Sequence, residues 1–177
     1  LRDILWHPMH ATVVTSATLT VGGSFETYQN RHGLEEEEPL NALFPSPFDY
    51  AKQAVLALPR DLPLPEHNDW EAEVEQAVVE WVKLAEGGAF VLCTSHAMVR
   101  RIGDALEQEW AGTLPILVQG KAGRETLFRQ FLQHEDSVLV GTDSFWEGVS
   151  VKGRGLRMVL IPRLPFRVPT HPIAQAR

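Results

Sequence analysis

The sequence predicts an α/β fold in which helices flank a parallel β-sheet. Short apolar runs alternate with segments whose apolar residues recur every three or four positions, and the turns between them are short. The run Ala89–Cys93 is apolar at every position, which is typical of a strand covered on both faces. A chain of 177 residues with 44% hydrophobic residues is long enough for one packed domain, or for one domain with a short neighbour.

The first third of the chain has a weaker pattern. Residues 11–15 and 53–58 are rich in β-branched and aliphatic side chains, so both segments predict strands. Residues 20–50 contain paired glycines, four consecutive glutamates and three prolines, which predict irregular structure. The segment from Pro59 to Pro65 predicts an extended linker.

After the linker, the predicted elements alternate between helix and strand. A helix is expected to begin near Asp69 and to end at Gly87-Gly88, because glycine accepts the left-handed conformation that ends helices. Ser95 is expected to cap the next helix, because its hydroxyl accepts a hydrogen bond from the first helical turn. The other predicted elements are strand 115–118, helix 123–133, strand 137–141 and strand 156–161.

The net charge of −7 argues against a generally cationic nucleic-acid-binding protein. The charge is nevertheless unevenly distributed, because no Asp or Glu follows Glu147 whereas six Lys or Arg residues do. Such asymmetry is typical of a local surface that faces a polyanion. The alternative, that this end of the chain is basic by chance, stays open on sequence alone.

The sequence predicts no membrane-spanning segment, no disulfide bond and no metal site. No apolar run approaches the roughly 20 residues needed to span a bilayer. Cys93 is the only cysteine, so an internal disulfide is excluded and a reducing, cytoplasmic setting is expected. An iron–sulfur cluster takes about four thiolates, so this sequence holds none. His7 and His10 have a spacing that metal ligands use, but Pro8 between them argues against a metal site.

Three polar clusters follow predicted strands: residues 15–19, Thr94-Ser95 and residues 141–150. Each places hydroxyls and backbone amides at a turn beyond a strand, a geometry that suits oxyanions. Because ligands of parallel α/β sheets bind beyond the carboxyl ends of the strands, these clusters are the candidate site. For each cluster taken alone, helix capping is the alternative to anion binding, since Ser and Thr often cap helices without a further function.

Taken in order, the three clusters resemble motifs III, IV and V of superfamily 2 helicases. Thr142, Asp143 and residues 147–149 fall in the register of motif V. Residues 145–149, the later Leu164-Pro-Phe, Pro169, Pro172 and Ala176-Arg177 look like the DinG branch, relatives of the XPD helicases. The resemblance extends from about Trp6 to Arg177 and implies a RecA-like second motor domain, related to P-loop NTPases.

The resemblance implies a set of residues that contact nucleic acid: Thr94, Ser95, Gln119, Gly120, Thr142 and Phe145. Thr94 and Ser95 would face the strand backbone, and Thr142 would hold a phosphate of the tracked strand. Gln119-Gly120 would add a further strand contact. Phe145 or Trp146 would stack on a base, although burial as a core aromatic is an equal alternative for each.

A second implied set couples nucleotide state to the grip on the strand: Ser16, Thr18, Glu147, Gly148 and Ser150. Ser16 and Thr18 match the Ser-Ala-Thr coupling motif, whereas Glu147 and Gly148 match the part of motif V that borders the ATP cleft. Ser150 stands where motif V ordinarily ends in aspartate. A hydroxyl replaces a carboxylate only weakly as an acceptor, so nucleotide coupling at full strength is in doubt.

The resemblance also implies a domain organisation. Residues 1–19 would end the first motor domain, and residues 20–177 would form the second, ending before the arginine motif VI. ATP and Mg²⁺ are implied cofactors, yet the sequence contains neither a Gly-x-x-x-x-Gly-Lys-Ser/Thr loop nor an acidic magnesium box. The chain alone is therefore not expected to hydrolyse ATP, and the N-terminal motor domain of the same protein is an implied partner.

The function that follows is an ATP-dependent helicase coupling hydrolysis to translocation along single-stranded DNA and to unwinding, in DNA repair or replication. Two alternatives stay open. One is a degenerate motor fold that serves as a nucleic-acid-binding or scaffold module, for which Ser150 is the main indication. The other is a doubly wound nucleotide-binding transferase, which the absence of a Gly-x-Gly-x-x-Gly turn disfavours.

Overall fold

The computed structural model describes residues 2–145 and 150–166, and the chain divides into two compact units, Leu1–Leu58 and Pro59–Arg177. In the first unit, a short π-helical turn, Arg2–Trp6, precedes helix α1 (Glu26–His32) and helix α2 (Tyr50–Gln53). The Trp6 indole Nε1 donates a hydrogen bond to the carbonyl of His32 at 2.8 Å. This bond ties the π-helical turn to the end of α1.

The strands predicted at residues 11–15 and 53–58 are wrong. Neither segment is paired with another strand, and the side chains of Val13 and Val55 are 85% and 94% exposed. A high β-propensity reflects how well a side chain fits a pleated, half-buried surface. Backbone donors and acceptors also need a neighbouring strand, and the described residues of this unit supply only one isolated bridge, between Val21 and Ser24.

The second unit alternates helix and strand, as the sequence predicts. Residues 59–69 contain no regular helix or strand, in agreement with the expected linker. The elements that follow are α3 (Trp70–Ala85), β1 (Ala89–Leu92), α4 (His96–Trp110), β2 (Ile116–Val118), α5 (Arg124–Gln133), β3 (Val138–Gly141) and β4 (Met158–Leu160). Single 3₁₀ turns lie at Asp143–Phe145 and Gly153–Gly155.

The four strands form one parallel sheet in the order β2-β3-β1-β4. Phe90 of β1 pairs with Leu139 of β3 and with Val159 of β4, and Leu117 of β2 pairs with Leu139 on its other side. The predicted α/β fold with a parallel sheet is therefore confirmed. All four strands end at the same edge, here called the carboxyl edge.

Helices cover both faces of the sheet, because successive side chains of a strand point to opposite sides. On one face, Val91 and Val140 pack against α3 and α4. On the other, Phe90, Leu92 and Leu139 pack against Leu127 and Phe131 of α5. The ring centroids of Phe90 and Phe131 lie 4.6 Å apart. Burial on both faces explains why β1 and β3 are apolar at nearly every position.

The amino edge of the sheet, opposite the carboxyl edge, is held by Arg157. Its Nε donates to the carbonyl of Ala85 at 3.1 Å, and Nη2 donates to the carbonyl of Glu86 at 2.7 Å. The same Nη2 lies 3.3 Å from an oxygen of Asp136. Arg157 therefore satisfies carbonyls at the end of α3 and has a structural role at this edge.

Within residues 2–145 and 150–166, no helix is both long and apolar enough to cross a bilayer.

Candidate nucleic-acid interface

Polar side chains gather where three neighbouring strands end. Gln119 follows β2, Thr142 follows β3, and Thr94-Ser95 follows β1 after the buried Cys93. Because β2, β3 and β1 are adjacent in the sheet, the predicted clusters at 94–95, 119–120 and 142 lie side by side at the carboxyl edge. Helices α4 and α5 also begin at this edge, so their N-terminal partial positive charge favours anions there.

Gln119 and Thr142 are joined directly. The carboxamide Oε1 of Gln119 accepts hydrogen bonds from the backbone N–H of Thr142 at 2.6 Å and from its hydroxyl at 3.0 Å. The Nε2 of Gln119 donates to the hydroxyl of Ser144 at 3.2 Å. Thr142 is buried, at 6% exposure, whereas Gln119 is half-buried and Ser144 is exposed. One glutamine side chain thus binds the turn after β3 through three hydrogen bonds.

Gly141, the last residue of β3, leaves room for this network. A Cβ atom at this position would lie 2.5 Å from the ring of Phe145 and 3.2 Å from the Gln119 carboxamide oxygen. Any side chain would therefore displace one or both neighbours. These close contacts explain why the first residue of the 141–150 cluster is a glycine.

Ser95 caps α4 as predicted. Its Oγ accepts a hydrogen bond from the backbone N–H of Met98 at 3.2 Å, and its backbone is extended as an N-cap requires. Thr94 and Ser95 are both exposed. The cap leaves the Ser95 hydroxyl hydrogen available to an acceptor in solution, so capping and an anion contact are compatible.

A groove of about 710 Å³ begins at Thr94 and Ser95. Its lining combines the aromatic rings of Trp70 and Phe166 with two guanidinium groups, of Arg101 and Arg163. Arg163 lies over the Trp70 ring, 5.7 Å from its centroid, whereas Arg101 forms ion pairs with Glu71 and Glu75 at 2.8 and 2.6 Å. Arg163 faces the groove and forms no ion pair with a carboxylate among residues 2–145 and 150–166.

Phe145 is a core residue. It is 1% exposed and packs with Phe90, Leu92 and Phe131. The guanidinium of Arg124, the first residue of α5, lies 5.5 Å from the centre of its ring, and Arg124 Nε donates to the carbonyl of Ser144 at 2.8 Å. A base cannot stack on a ring that is already covered, so the core alternative holds for Phe145 and the stacking role is wrong in this conformation.

The basic segment after Glu147 is divided between the two edges of the sheet. Arg163 lies at the carboxyl edge, whereas Arg157 binds backbone carbonyls at the amino edge. Arg154 also lies at the amino edge, since its carbonyl is 2.8 Å from where a Cβ of Gly88 would be. Arg167 and Arg177 lie outside the described residues. The described part of this segment is therefore not a single surface facing a polyanion.

The remaining predicted site residues are Ser16, Thr18, Glu147, Gly148 and Ser150. Ser16 and Thr18 belong to the first compact unit, where their hydroxyls lie 3.2 Å apart in an exposed turn. Glu147 and Gly148, with Trp146, lie outside the described residues. Ser150 is exposed. Two residues to which the sequence assigns no individual role, Ser144 and Arg124, contact the site. Ser144 lies within the 141–150 cluster, and Arg124 is the first residue of α5.

Cys93 is a buried core residue, and His7 lies beside a carboxylate. Burial raises the pKa of the Cys93 thiol to about 12, so the predicted core role is confirmed and a nucleophilic thiolate is excluded at neutral pH. The Nε2 of His7 lies 3.0 Å from a carboxylate oxygen of Glu37. In the described part of the chain, no three His, Cys, Asp or Glu side chains converge as ligands of a metal ion would.

The fold and this edge define a parallel α/β domain with hydroxyl and amide groups at the carboxyl ends of its strands. Residues 78–177 match the family of helicase C-terminal domains, and the chain therefore belongs to that family.

The relatives found by comparison carry the names YoaA and DinG. The chain is 39% identical over 176 residues to the ATP-dependent DNA helicase YoaA of Escherichia coli. The matched region covers 99% of this chain and 27% of that protein. It is 37% identical to the ATP-dependent helicase DinG of Mycobacterium tuberculosis, over 94% of this chain and 25% of the relative. It is 32% identical to the 3'-5' exonuclease DinG of Bacillus subtilis, over 100% of this chain and 20% of the relative.

These matches confirm the resemblance to DinG-type helicases that the motifs indicated. The chain spans only about a quarter of the length of the YoaA and DinG helicases it matches.

Proposed function

We propose that this chain is the strand-contacting half of the motor of an ATP-dependent DNA helicase of the DinG type. The observation that carries the proposal is the convergence of Thr94, Ser95, Gln119 and Thr142 at the carboxyl edge of one parallel sheet. The names of the relatives support DNA as the polymer and ATP as the fuel. In the proposed organisation, residues 1–19 end the first motor domain and residues 20–177 belong to the second.

Phosphates of a single strand are the proposed ligands of this edge. A phosphodiester oxygen accepts hydrogen bonds and carries negative charge, so it pairs with hydroxyl and amide donors and with the N-terminal ends of α4 and α5. The groups that would donate are the hydroxyls of Thr94 and Ser95 after β1 and, once released from Gln119, the backbone N–H and hydroxyl of Thr142 after β3. Contacts of this kind position a strand without reading its sequence, as a translocating motor requires.

The sequence contains neither the phosphate loop nor the acidic magnesium box that hold ATP and Mg²⁺ in such motors. The proposal therefore assigns the ATP phosphates and Mg²⁺ to the other motor domain of the same protein. In this organisation, Glu147, Gly148 and Ser150 border the nucleotide cleft, and Ser16 and Thr18 link the nucleotide state to the grip on the strand. Movement between the two domains would then step the strand along the carboxyl edge.

The first experiment measures binding of the chain to a fluorescein-labelled single-stranded oligonucleotide by fluorescence anisotropy at low salt. Thr142→Val keeps the shape of the side chain and removes the hydroxyl donor, so we expect about a tenfold loss of affinity. Thr113→Val is the matched control, because Thr113 is an exposed threonine in the turn between α4 and β2, at the amino edge. Equal affinities of the two variants for DNA would place the strand elsewhere and favour a scaffold function.

A further inference from the structure

Both hydrogen-bond donors of Thr142 are already used within the protein. Its backbone N–H and its hydroxyl point to the same acceptor, Oε1 of Gln119, at 2.6 and 3.0 Å. A phosphodiester oxygen has no hydrogen to donate, so it binds a threonine only by accepting from these same two groups. In the conformation observed, Thr142 therefore has no donor left for a phosphate.

We propose that Gln119 is an internal competitor of the DNA strand, an inference that rests on the proposed function. Its carboxamide oxygen occupies the position that a phosphate oxygen would take beside Thr142. Binding of a strand then requires that the Gln119 side chain leave this position. Gln119 is thereby a residue that sets the affinity for DNA, and it is not a simple additional contact.

The surroundings of Gln119 are suited to such an exchange. Its side chain is half-buried and lies between a buried threonine and an exposed serine, so one side of it already meets solvent. Gly120, which follows it, is exposed and has a φ of +100°, and no atom lies within 4 Å of where its Cβ would be. The space beside Gly120 is therefore open to the displaced carboxamide.

The exchange also balances in hydrogen bonds. Displacement breaks the two bonds from Thr142 and the one to Ser144, after which water satisfies the carboxamide in its exposed position. The phosphate replaces a neutral acceptor with a charged one, and charge-assisted bonds are roughly twice as strong as neutral ones. A strand thus displaces the glutamine, whereas a neutral polar ligand gains little from doing so.

Two variants of opposite expected effect test this proposal, with affinity for the labelled strand as the readout. Gln119→Ala removes the competing oxygen, so we expect DNA to bind about tenfold more tightly. Gln119→Glu keeps the acceptor and adds a negative charge, so we expect binding about tenfold weaker than in the unaltered chain. Weaker binding by Gln119→Ala would overturn the proposal and make Gln119 a direct strand contact.

Thr142→Val in combination with Gln119→Ala separates this proposal from the proposed function. The gain from Gln119→Ala should vanish in the double variant, because the released donors are those of Thr142. If Thr142→Val weakens binding while Gln119→Ala leaves it unchanged, the competitor is disproved and the strand site stands. If no variant alters binding, the strand site itself is disproved. Circular dichroism and urea unfolding identify any variant that does not fold, and Gln119→Glu, which retains the accepted bonds, provides the folded comparison.

Discussion

At the scale of single residues, the carboxyl edge contains side chains with two tasks. The Ser95 oxygen caps α4 while its hydrogen stays available, and the Gln119 carboxamide orders the turn after β3 while it covers Thr142. Phe145, by contrast, has only the packing task. The chemical type of a residue at a strand end therefore indicates a contact, but its burial decides whether the contact is with the core or with a ligand.

The sequence indicates which residues lie at the carboxyl edge, but not which hydrogen bonds they form there. The alternation of strands and helices predicts that Ser95 caps a helix. It also predicts that Thr142 lies near Ser95 and Gln119, because strand ends of a parallel sheet share an edge. The bond between Gln119 and Thr142 was not predictable, since it depends on a side-chain rotamer and on the pairing of β2 with β3. For Phe145, the sequence is equally compatible with base stacking and with burial, because an aromatic residue in a turn suits both.

Cys93 gives a prediction on pH. Its pKa of about 12 lies above the usual thiol value of 9.0, so the folded state holds the thiol proton more tightly than the unfolded state. The stabilisation is complete below about pH 9 and is lost as the pH rises toward 12. We expect the native thiol to react at least about tenfold more slowly with Ellman's reagent at pH 8 than the thiol in urea. Similar rates in both solvents would show that the thiol is accessible.

At the scale of elements, the predicted helices and strands agree with the structure in the second unit better than in the first. The helices and strands between Trp70 and Leu160 match the periodicity, because each buries an apolar face on the same sheet. The strands expected at 11–15 and 53–58 failed because β-propensity does not supply a partner. The residue pattern therefore predicted the elements correctly where they bury an apolar face on the sheet. It predicted them wrongly where no neighbouring strand supplies backbone hydrogen bonds.

The turn from α3 into β1 gives a prediction on stability. Gly87 has a φ of +79°, and a Cβ there would lie 1.9 Å from the carbonyl oxygen of Asp136. Gly87→Ala should lower the free energy of unfolding by about 3 kcal/mol, from the left-handed backbone and the steric clash together. Gly112→Ala is the matched control, because Gly112 has a φ of +88° and no atom within 4 Å of its Cβ position.

The Gly112→Ala control should cost only about 1 kcal/mol, the backbone contribution alone. Urea unfolding of both variants, followed by circular dichroism, measures the difference. Equal losses of stability would mean that the strand entry moves to relieve the clash at position 87.

At the scale of the whole molecule, the net charge of −7 is compatible with the proposed phosphate contacts, because the proposed edge relies on few cations. Lys121 is 2.6 Å from Glu107, and Arg101 is paired with two glutamates. The parallel sheet could be predicted from the alternation of elements. The order β2-β3-β1-β4 could not, since it depends on how the crossovers pack.

This charge distribution predicts a shallow salt dependence of DNA binding. With two or three phosphates neutralised, the slope of log K against log salt concentration should be about −2 for a single strand. Arg163→Gln should make the slope shallower by about 0.7, whereas Arg154→Gln, an equal charge change at the amino edge, should not. Anisotropy titrations over a range of salt concentrations measure both. A slope steeper than about −5 would reveal a broad cationic surface instead.

The strand order has a consequence for how the domain folds. β1 is the first strand of the sheet along the chain, yet both of its neighbours, β3 and β4, come much later. During synthesis, the apolar segment Ala89–Leu92 therefore waits without a partner until β3 has emerged. Such non-local pairing slows folding and leaves an unpaired strand open to aggregation in the interval. Helices α3 and α4, which cover one face of β1 and are complete before β3, would shield this strand while it waits.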